Sequence, residues 1–208
     1  MQRKISFIFS LPTTWTLFQG AKVLSENMIR QHAGSIKGQS VVEFGAGAGL
    51  PSLVALSLGA RHVVATDYPS SSVIENLTRN LTSHCTSLAL ASLPFNIVSH
   101  IWADEASITE ILSANNGEGF DIALAAECLW RHELHNDLAV SLYRSLRVRG
   151  RAMITFSHHF PGRESLDLKF FDIAKDIGLH VVAKSSFQAP HMWSGRVVDI
   201  HLYELEKS

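Results

Sequence analysis

Cysteine, excess charge of one sign and long apolar runs are all scarce in this sequence. Its 208 residues contain two cysteines, Cys85 and Cys128, which lie far apart and form no C-x-x-C pair. This pattern indicates neither a disulfide framework nor a zinc knuckle, so we expect a reducing compartment. Lys and Arg number 18 against 19 Asp and Glu, which leaves a formal charge of −1. The chain therefore has no basic field for holding a nucleic-acid backbone.

A membrane-spanning pattern is also missing. Arg3 and Lys4 precede the apolar run Ile5 to Leu11, as in a signal peptide, but Pro12 ends that run and no A-x-A-like cleavage site follows. No stretch approaches the roughly 20 apolar residues that a transmembrane helix needs. We therefore expect a soluble protein of the cytoplasm, with the nucleus as a second location, that binds neither membranes nor nucleic acid.

The composition is that of a folded globular chain. Hydrophobic residues make up 46% and charged residues 18%, with only 13 Gly and 6 Pro, which argues against disorder and low-complexity repeats. A chain of this length can organise around one hydrophobic core. We expect a single domain over residues 1–208, with a short segment, residues 1–13, ahead of the first helix.

Short β-branched runs alternate with helical patterns along the chain, which predicts a mostly parallel sheet with helices on both faces. The predicted strands are Ser40–Phe44, His62–Thr66, Asn96–Ile101, Phe120–Ala126, Ala152–Phe156, Val181–Ser185 and Val197–Tyr203. The predicted helices are Thr14–Arg30, Leu50–Leu58, Ser71–Ser83, Ile108–Ser113, Glu133–Leu146 and Ser165–Ile177. The last two strands have no helix between them, so we expect an antiparallel pair at one end of the sheet. Ligands of such sheets bind beyond the carboxyl ends of the strands.

A glycine-rich loop is the most informative segment. The apolar strand that ends at Glu43 and Phe44 runs into Gly45, Gly47 and Gly49 and then into a helix. Glycines in this position permit a positive φ and let a ligand lie against the main chain. Asp67, at the end of the next strand, is placed to accept hydrogen bonds from both hydroxyls of a ribose. A glycine turn that serves only strand-to-helix packing is the alternative.

The glycine spacing separates two nucleotide cofactors. The dinucleotide fingerprint is G-x-G-x-x-G, whereas this loop reads G-x-G-x-G because Leu50 follows Gly49. The pattern E-x-G-x-G-x-G with an acid at the next strand end resembles motif I of the class I S-adenosylmethionine-dependent methyltransferases. That resemblance implies their Rossmann-like fold and S-adenosylmethionine as methyl donor, with S-adenosylhomocysteine as product. An NAD-dependent dehydrogenase fits the spacing less well.

Further motifs narrow the resemblance to the nicotinamide N-methyltransferase-like branch, which in fungi includes elongation-factor lysine and N-terminal methyltransferases. Asp67-Tyr68-Pro69 and Asn76-Leu77-Thr78-Arg79-Asn80 resemble its D-Y-P and N-L-x-x-N patterns. Trp102 after the third strand is similar to the Trp-Gly of that branch, and Phe156–Pro161 to its F-S-x-H-R-P. The similarity runs from about Trp15 onward. The residues that we expect to bind the cofactor are Trp15, Glu43, Gly45, Gly47, Gly49, Asp67, Tyr68, Trp102 and Ala126, with Trp15 and Trp102 as candidates to flank the adenine.

Three residues are candidates for the chemistry of methyl transfer, which depends mainly on positioning. Glu127 follows the fourth strand and could orient an amine and stabilise the charge that develops on its nitrogen. Trp130 would wall the acceptor pocket, and His159, after the fifth strand, is a candidate general base. The alternatives are a helix-start acid for Glu127 and a surface-loop histidine for His159.

The acceptor that we expect first is a protein lysine or an N-terminal amine. A small-molecule N- or O-methyltransferase of a biosynthetic pathway is the alternative, because nothing in the chain fixes the size of the acceptor. A non-catalytic methyltransferase-fold partner subunit is a third interpretation. The stretch ahead of the segment matching Leu11–Ala21 is shorter than in relatives. We therefore expect either a macromolecular acceptor that covers the opening itself, or a partner protein, as in a homodimer, that packs apolar surface such as Phe7, Ile8 and Phe9 over it.

A metal site is not expected. His132-x-x-His135 and the adjacent pair His158 and His159 have poor ligand spacing, and no Cys or acid set near them in the sequence completes a zinc site. No G-x-S-x-G nucleophile elbow occurs, which argues against hydrolase chemistry of that kind.

Overall fold

The computed structural model describes residues 18–87, 94–190 and 196–208. Its strands are β1 (Ser40–Phe44), β2 (His62–Asp67), β3 (Phe95–Ser99), β4 (Phe120–Ala126), β5 (Leu146–Phe156), β6 (Leu179–Pro190) and β7 (Val197–Lys207). Its helices are α1 (Gln19–Gln31), α2 (Ala33–Ile36), α3 (Leu50–Ser57), α4 (Ser71–Ser87), α5 (Glu105–Ala114), α6 (His135–Ser145) and α7 (Glu164–Asp176), with one 3-10 turn at His132–Leu134.

The strands form one sheet in the order β3-β2-β1-β4-β5-β7-β6. The pairs among β1 to β5 are parallel, and β7 is antiparallel to both β5 and β6. A connection of residues 191–196 is too short for a parallel crossover, which explains why the last two strands form an antiparallel pair. The seven-stranded, mostly parallel sheet is confirmed. The position of β7 between β5 and β6 was not anticipated by the sequence pattern.

The sheet has a hydrophobic core on each face, as the alternation of strand side chains requires. Val41 and Val63 point to the face covered by α1, α3 and α4, while Val42 and Val64 point to the face covered by α5, α6 and α7. These four valines are fully buried. The carboxyl ends of β1 to β5 therefore lie at one edge of a covered sheet, where the loops that carry the polar motifs come together.

Several predicted boundaries need correction. The third strand ends at Ser99 rather than Ile101, and α5 begins at Glu105 rather than Ile108 because the Asp104 side chain caps it, accepting from the Ser107 N–H at 2.9 Å. The fifth strand begins at Leu146 rather than Ala152, because Leu146 already pairs with Phe120 before a register shift leads to the Ile122–Arg151 pair. The Arg147 side chain in this first half donates through Nε to Asp121 Oδ1 at 2.6 Å. The helix predicted from Glu133 begins instead as the 3-10 turn.

Some predictions fall outside the described residues. These are the placement of residues 1–13, the start of the first helix at Thr14, the covering residues Phe7 to Phe9, and the role of Trp15. The described part of that first helix is α1, which begins at Gln19.

Candidate active site

The loop between β1 and α3 has the backbone that its glycines predict. The φ angles of Gly45, Gly47 and Gly49 are 64°, 54° and 79°, all in the left-handed region that favours glycine. A Cβ on Gly45 would stand 2.7 Å from Cys128 Sγ, whereas one on Gly47 would meet nothing within 4 Å. Gly47 therefore presents bare main chain to open space, which suits close approach of a ligand. A Cβ on Gly49 would stand 2.6 Å from Leu77 Cδ1, so this glycine serves helix packing.

Asp67 ties the end of β2 to the glycine loop. Its Oδ2 accepts from the Gly47 N–H at 2.6 Å, and its Oδ1 accepts from the Tyr68 N–H at 2.7 Å. Burial raises the pKa of the Asp67 carboxyl above its ordinary value, and these two hydrogen bonds act in the opposite direction. The Asp67 carboxylate thus connects the end of β2 to the main chain of the glycine loop.

Glu43 lies behind the loop and anchors the start of α3. Its Oε2 accepts from the Ser52 N–H at 2.9 Å and also from the Ser52 hydroxyl. The residue is buried, and this burial raises the pKa of the Glu43 carboxyl to about 8. Pro51 in the first turn of the helix agrees with the sequence pattern.

The loop after β3 is fixed from beneath by a buried histidine. His100 Nδ1 lies 2.8 Å from Ser107 Oγ and His100 Nε2 lies 3.0 Å from Ser141 Oγ, while the Ala103 N–H donates to the same Ser141 oxygen at 2.8 Å. Burial lowers the pKa of His100 to about 4, so the ring is neutral at physiological pH. This network holds Trp102 beside the glycine loop, where Trp102 Cζ2 would stand 3.8 Å from a Cβ on Gly45.

A cavity of about 1040 Å³ runs along this edge of the sheet. It is at the upper end of the roughly 300–1,000 Å³ typical of small-molecule sites. Ten of the predicted site residues line the cavity, and they come from β1 and from the strands on both sides of it. They are Glu43, Gly45, Gly47, Asp67, Tyr68, Trp102, Ala126, Glu127, Trp130 and His159. Trp15 lies outside the described residues.

Glu127 is the centre of a buried hydrogen-bond network at the other end of the cavity. Its carboxylate accepts from the Gly20 N–H at 3.1 Å, from the Ser157 N–H at 3.1 Å and from the Ser157 hydroxyl at 3.0 Å. His159 Nε2 lies 3.0 Å from its Oε2. The backbone of Glu127 has a φ of 56°, a left-handed conformation that is uncommon for a residue with a side chain. These contacts occupy most of the lone pairs that a carboxylate offers.

His159 is half-buried beside this carboxylate instead of lying free in a surface loop. The hydrogen bond to Glu127 raises the pKa of His159 above its ordinary value, and burial acts against it. The Glu127–His159 pair can therefore hold or release a proton at this end of the cavity.

Sequence reasoning did not identify Gly20, Thr155 and Ser157 as site residues. Gly20 donates its N–H to Glu127, and its carbonyl accepts from Thr155 Oγ1 at 3.0 Å. A Cβ on Gly20 would stand 2.5 Å from Glu127 Oε1, so only glycine lets α1 approach this closely. A glycine within an amphipathic helical pattern was the available signal.

The mouth of the cavity carries exposed apolar side chains. Phe18, Tyr68, Ile101, Trp130 and Phe160 are 40–63% exposed, and all five line the cavity. They come from five separate segments, at the start of α1 and after β2, β3, β4 and β5. We call these five residues the rim. An apolar rim around a cavity is typical of a surface that contacts another molecule.

Three further histidines, His132, His135 and His158, form hydrogen bonds to carboxylate or carbonyl oxygens of the protein. His132 and His158 both contact Asp167, and His135 Nε2 lies 2.7 Å from the Leu129 carbonyl oxygen. Within the described ranges, no group of three or more His, Cys, Asp or Glu is placed to hold a metal ion. No helix in the same ranges is long and apolar enough to cross a membrane.

Comparison with known proteins agrees with this geometry. The sequence model of a lysine methyltransferase family matches residues 15–176. A "Protein N-terminal and lysine N-methyltransferase efm7" of Neurospora crassa is 33% identical over 174 residues, which cover 80% of this chain and 61% of the relative. One of the same name from Schizosaccharomyces pombe is 32% identical over 160 residues, which cover 74% and 60%. The chain thus spans about three fifths of the length of these curated relatives.

Solved structures show the same architecture. Magnesium protoporphyrin IX methyltransferase from Synechocystis PCC 6803 with bound S-adenosylhomocysteine superimposes with a TM-score of 0.65 at 14% identity, covering 100% of this chain and 94% of that one. A TehB-like SAM-dependent methyltransferase from Corynebacterium glutamicum gives 0.60 at 17% identity, covering 100% and 95%. These likenesses confirm the Rossmann-like methyltransferase fold. Together with the match over residues 15–176, they lead to one conclusion: the chain belongs to the lysine methyltransferase family.

Proposed function

We propose that this protein transfers a methyl group from S-adenosylmethionine to an amine of a protein, either a lysine side chain or an N-terminal amine. The observation that carries the proposal is one continuous cavity that joins the glycine loop and Asp67 at one end to Glu127, Trp130 and His159 at the other. A methyl donor and an acceptor can therefore meet in one cavity. The printed names of the fungal relatives point to the same acceptor class.

The residues at the cofactor end fit S-adenosylmethionine. Gly47 leaves open space where a side chain would stand, Asp67 offers a carboxylate at a strand end, and Trp102 adds a flat aromatic surface. These groups would hold the amino acid part, the ribose and the adenine, respectively. When bound, the sulfonium supplies an electrophilic methyl group to an in-line displacement, for which the protein mainly provides positioning and exclusion of water.

The residues at the acceptor end would position the amine. An ammonium has no lone pair, so the acceptor must reach the methyl group deprotonated. His159 is the group that would take this proton, because its ring is held by the Glu127 carboxylate at 3.0 Å. Glu127 would orient that ring and stabilise positive charge as it develops on the acceptor nitrogen. Trp130, which is 46% exposed, would form one wall of the acceptor pocket.

The rim favours a macromolecular acceptor over a small molecule. A small amine would leave these apolar side chains in water, whereas a peptide segment laid across the mouth would cover them. A protein acceptor is therefore our first choice, and we further propose the cytoplasm or the nucleus as the location. A partner protein or a second copy of the chain over the same mouth remains part of the proposal and is testable by light scattering with and without acceptor.

The test is transfer of a radiolabelled methyl group from S-adenosylmethionine to a panel of acceptors. The panel should contain proteins with free or acetylated N-termini, the same proteins with lysines changed to arginine, and small amines and alcohols. We expect label on protein amines, lost when the amine is blocked. Rapid labelling of a small molecule alone would favour the biosynthetic alternative. Tight binding of S-adenosylmethionine without transfer to any acceptor would favour a non-catalytic subunit.

A further inference from the structure

Beside the cavity lies a second polar cluster that the proposed reaction does not use. Asp167, in the first turn of α7, is a carboxylate whose side chain is only 5% exposed. His132 Nε2 lies 2.7 Å from its Oδ1, and His158 Nδ1 lies 2.7 Å from its Oδ2. Each carboxylate oxygen thus receives one imidazole N–H, which is strong, charge-assisted hydrogen bonding.

The two histidines belong to different loops, and both loops line the acceptor end of the cavity. His132 follows Trp130 in the loop after β4, while His158 precedes Phe160 in the loop after β5. The rings of His132 and Phe160 also contact each other, with centroids 6.5 Å apart. Asp167 therefore joins the two loops from behind, without lining the cavity itself.

We infer that Asp167 is a positioning residue. By hydrogen-bonding His132 and His158, it sets the distance between the loop that carries Trp130 and the loop that carries Phe160, and so it shapes the acceptor entrance. As a statement about the acceptor, this inference rests on the proposed function. The claim that Asp167 holds the two loops in place depends only on its two hydrogen bonds.

The chemistry of the carboxylate explains why an acid is needed at this place. Two ring N–H groups approach one side chain, and only a carboxylate accepts from both with two equivalent oxygens. An amide offers one carbonyl oxygen and one NH₂, so Asn at this position keeps both contacts only if one histidine changes its tautomer. Alanine loses both contacts. The expected order of loop stability is therefore wild type, then Asp167→Asn, then Asp167→Ala.

A simpler interpretation is that Asp167 only stabilises the first turn of α7 through the helix dipole. That role would affect the helix and would not affect the loop after β4, which is about 35 residues earlier in the chain. Asp172, exposed on the same helix, provides a control that touches neither histidine.

Amide hydrogen exchange tests the inference directly. In Asp167→Ala we expect exchange to accelerate about tenfold or more in peptides covering both residues 127–134 and residues 157–163, as loss of hydrogen bonds to a charged group requires. Residues 45–49 should keep the wild-type rate. Asp167→Asn should give a smaller change, and Asp172→Ala none. Should the alanine variant fail to fold, the asparagine variant carries the comparison.

Kinetics supply the second readout. We expect Asp167→Ala to raise KM for the protein acceptor about tenfold while the affinity for S-adenosylmethionine changes by less than about twofold. Wild-type exchange rates in both loops, or equal acceleration in residues 45–49, would overturn the inference. A wild type that transfers no methyl group would instead contradict the proposed function, and the exchange result would still decide whether Asp167 joins the two loops.

Discussion

The two ends of the cavity are built by different means. At the cofactor end, main-chain geometry dominates: Gly45, Gly47 and Gly49 have positive φ, and the Asp67 carboxylate, 20 residues further along the chain, accepts from the Gly47 N–H. At the acceptor end, Glu127 collects donors from Gly20, Ser157 and His159, which are 107, 30 and 32 residues away in the chain. The glycine loop and Asp67 thus stand close together in the sequence, whereas the contacts of Glu127 exist only after the chain has folded.

This difference separates the tasks of the two ends. A backbone cradle gives a fixed shape for one ligand, while a network of side chains can be altered residue by residue to suit different acceptors. Variants at the cofactor end should therefore change binding of S-adenosylmethionine, and variants at the acceptor end should change turnover. A variant at the cofactor end that changes only turnover, or one at the acceptor end that changes only binding of S-adenosylmethionine, would contradict this division.

The largest effect is expected from Asp67→Ala. It should weaken binding of S-adenosylmethionine by about 1.5–3 kcal/mol, the range for a hydrogen bond to a charged group. Titration calorimetry measures this loss, which corresponds to about 10- to 150-fold in affinity. Asp67→Asn, which still offers one acceptor oxygen, should lose less. If the alanine variant binds as tightly as the wild type, the ribose does not lie at Asp67.

Glu127→Gln should act on turnover instead. The amide presents an NH₂ toward groups that are themselves donors, so His159 or Ser157 loses its partner while the size of the side chain is kept. We expect methyl transfer to fall at least about tenfold, about 1.4 kcal/mol of transition-state stabilisation. Affinity for S-adenosylmethionine should stay nearly constant. Undiminished activity would leave Glu127 only a structural role, in accepting hydrogen bonds from Gly20 and Ser157.

The same difference between the two ends explains which features could be predicted from the sequence alone. The order of strands and helices follows from apolar periodicity, and Gly45, Gly47 and Asp67 stand in one contiguous pattern, so both were predictable. The insertion of β7 between β5 and β6 depends on pairing between distant segments, which periodicity does not encode. The start of α5 depends on the Asp104 cap, which apolar periodicity does not show.

At the acceptor end, residue types were predictable and their partners were not. Glu127, Trp130 and His159 were found because each follows a strand at the ligand-binding edge. Nothing local links Glu127 to Gly20 or His158 to Asp167, since these contacts depend on how α1 and α7 pack on the sheet. The interpretation of His159 as a surface-loop residue failed for this reason.

A smaller effect is expected from Gly20→Ala. A helical Gly→Ala change ordinarily stabilises by roughly 0.5–1 kcal/mol, but here the new methyl would stand 2.5 Å from Glu127 Oε1, and overpacking costs about 1–3 kcal/mol. We expect a net loss of about 1 kcal/mol in the free energy of unfolding, measured by denaturant titration, together with reduced turnover. Gly34→Ala is the matched control, because a Cβ there meets nothing within 4 Å. Gly34→Ala should be neutral or slightly stabilising. If the two variants change the free energy of unfolding equally, α1 does not pack tightly against Glu127.

The smallest effect is a pH dependence that only the acceptor end should show. Because the hydrogen bond to Glu127 raises the pKa of His159 above its unfolded value, the folded state favours the protonated ring. The stabilisation is complete below the ordinary histidine pKa of about 6.5 and is lost as pH rises through the higher folded value. The difference in unfolding free energy between wild type and His159→Gln should therefore shrink as the pH rises from about 6.5 through the raised pKa of His159. Methyl transfer should rise over the same interval, since only a neutral ring can take the proton of the acceptor. A stability difference that grows with pH would mean that Glu127 and His159 do not form a charged pair, and transfer independent of pH would remove His159 as the base.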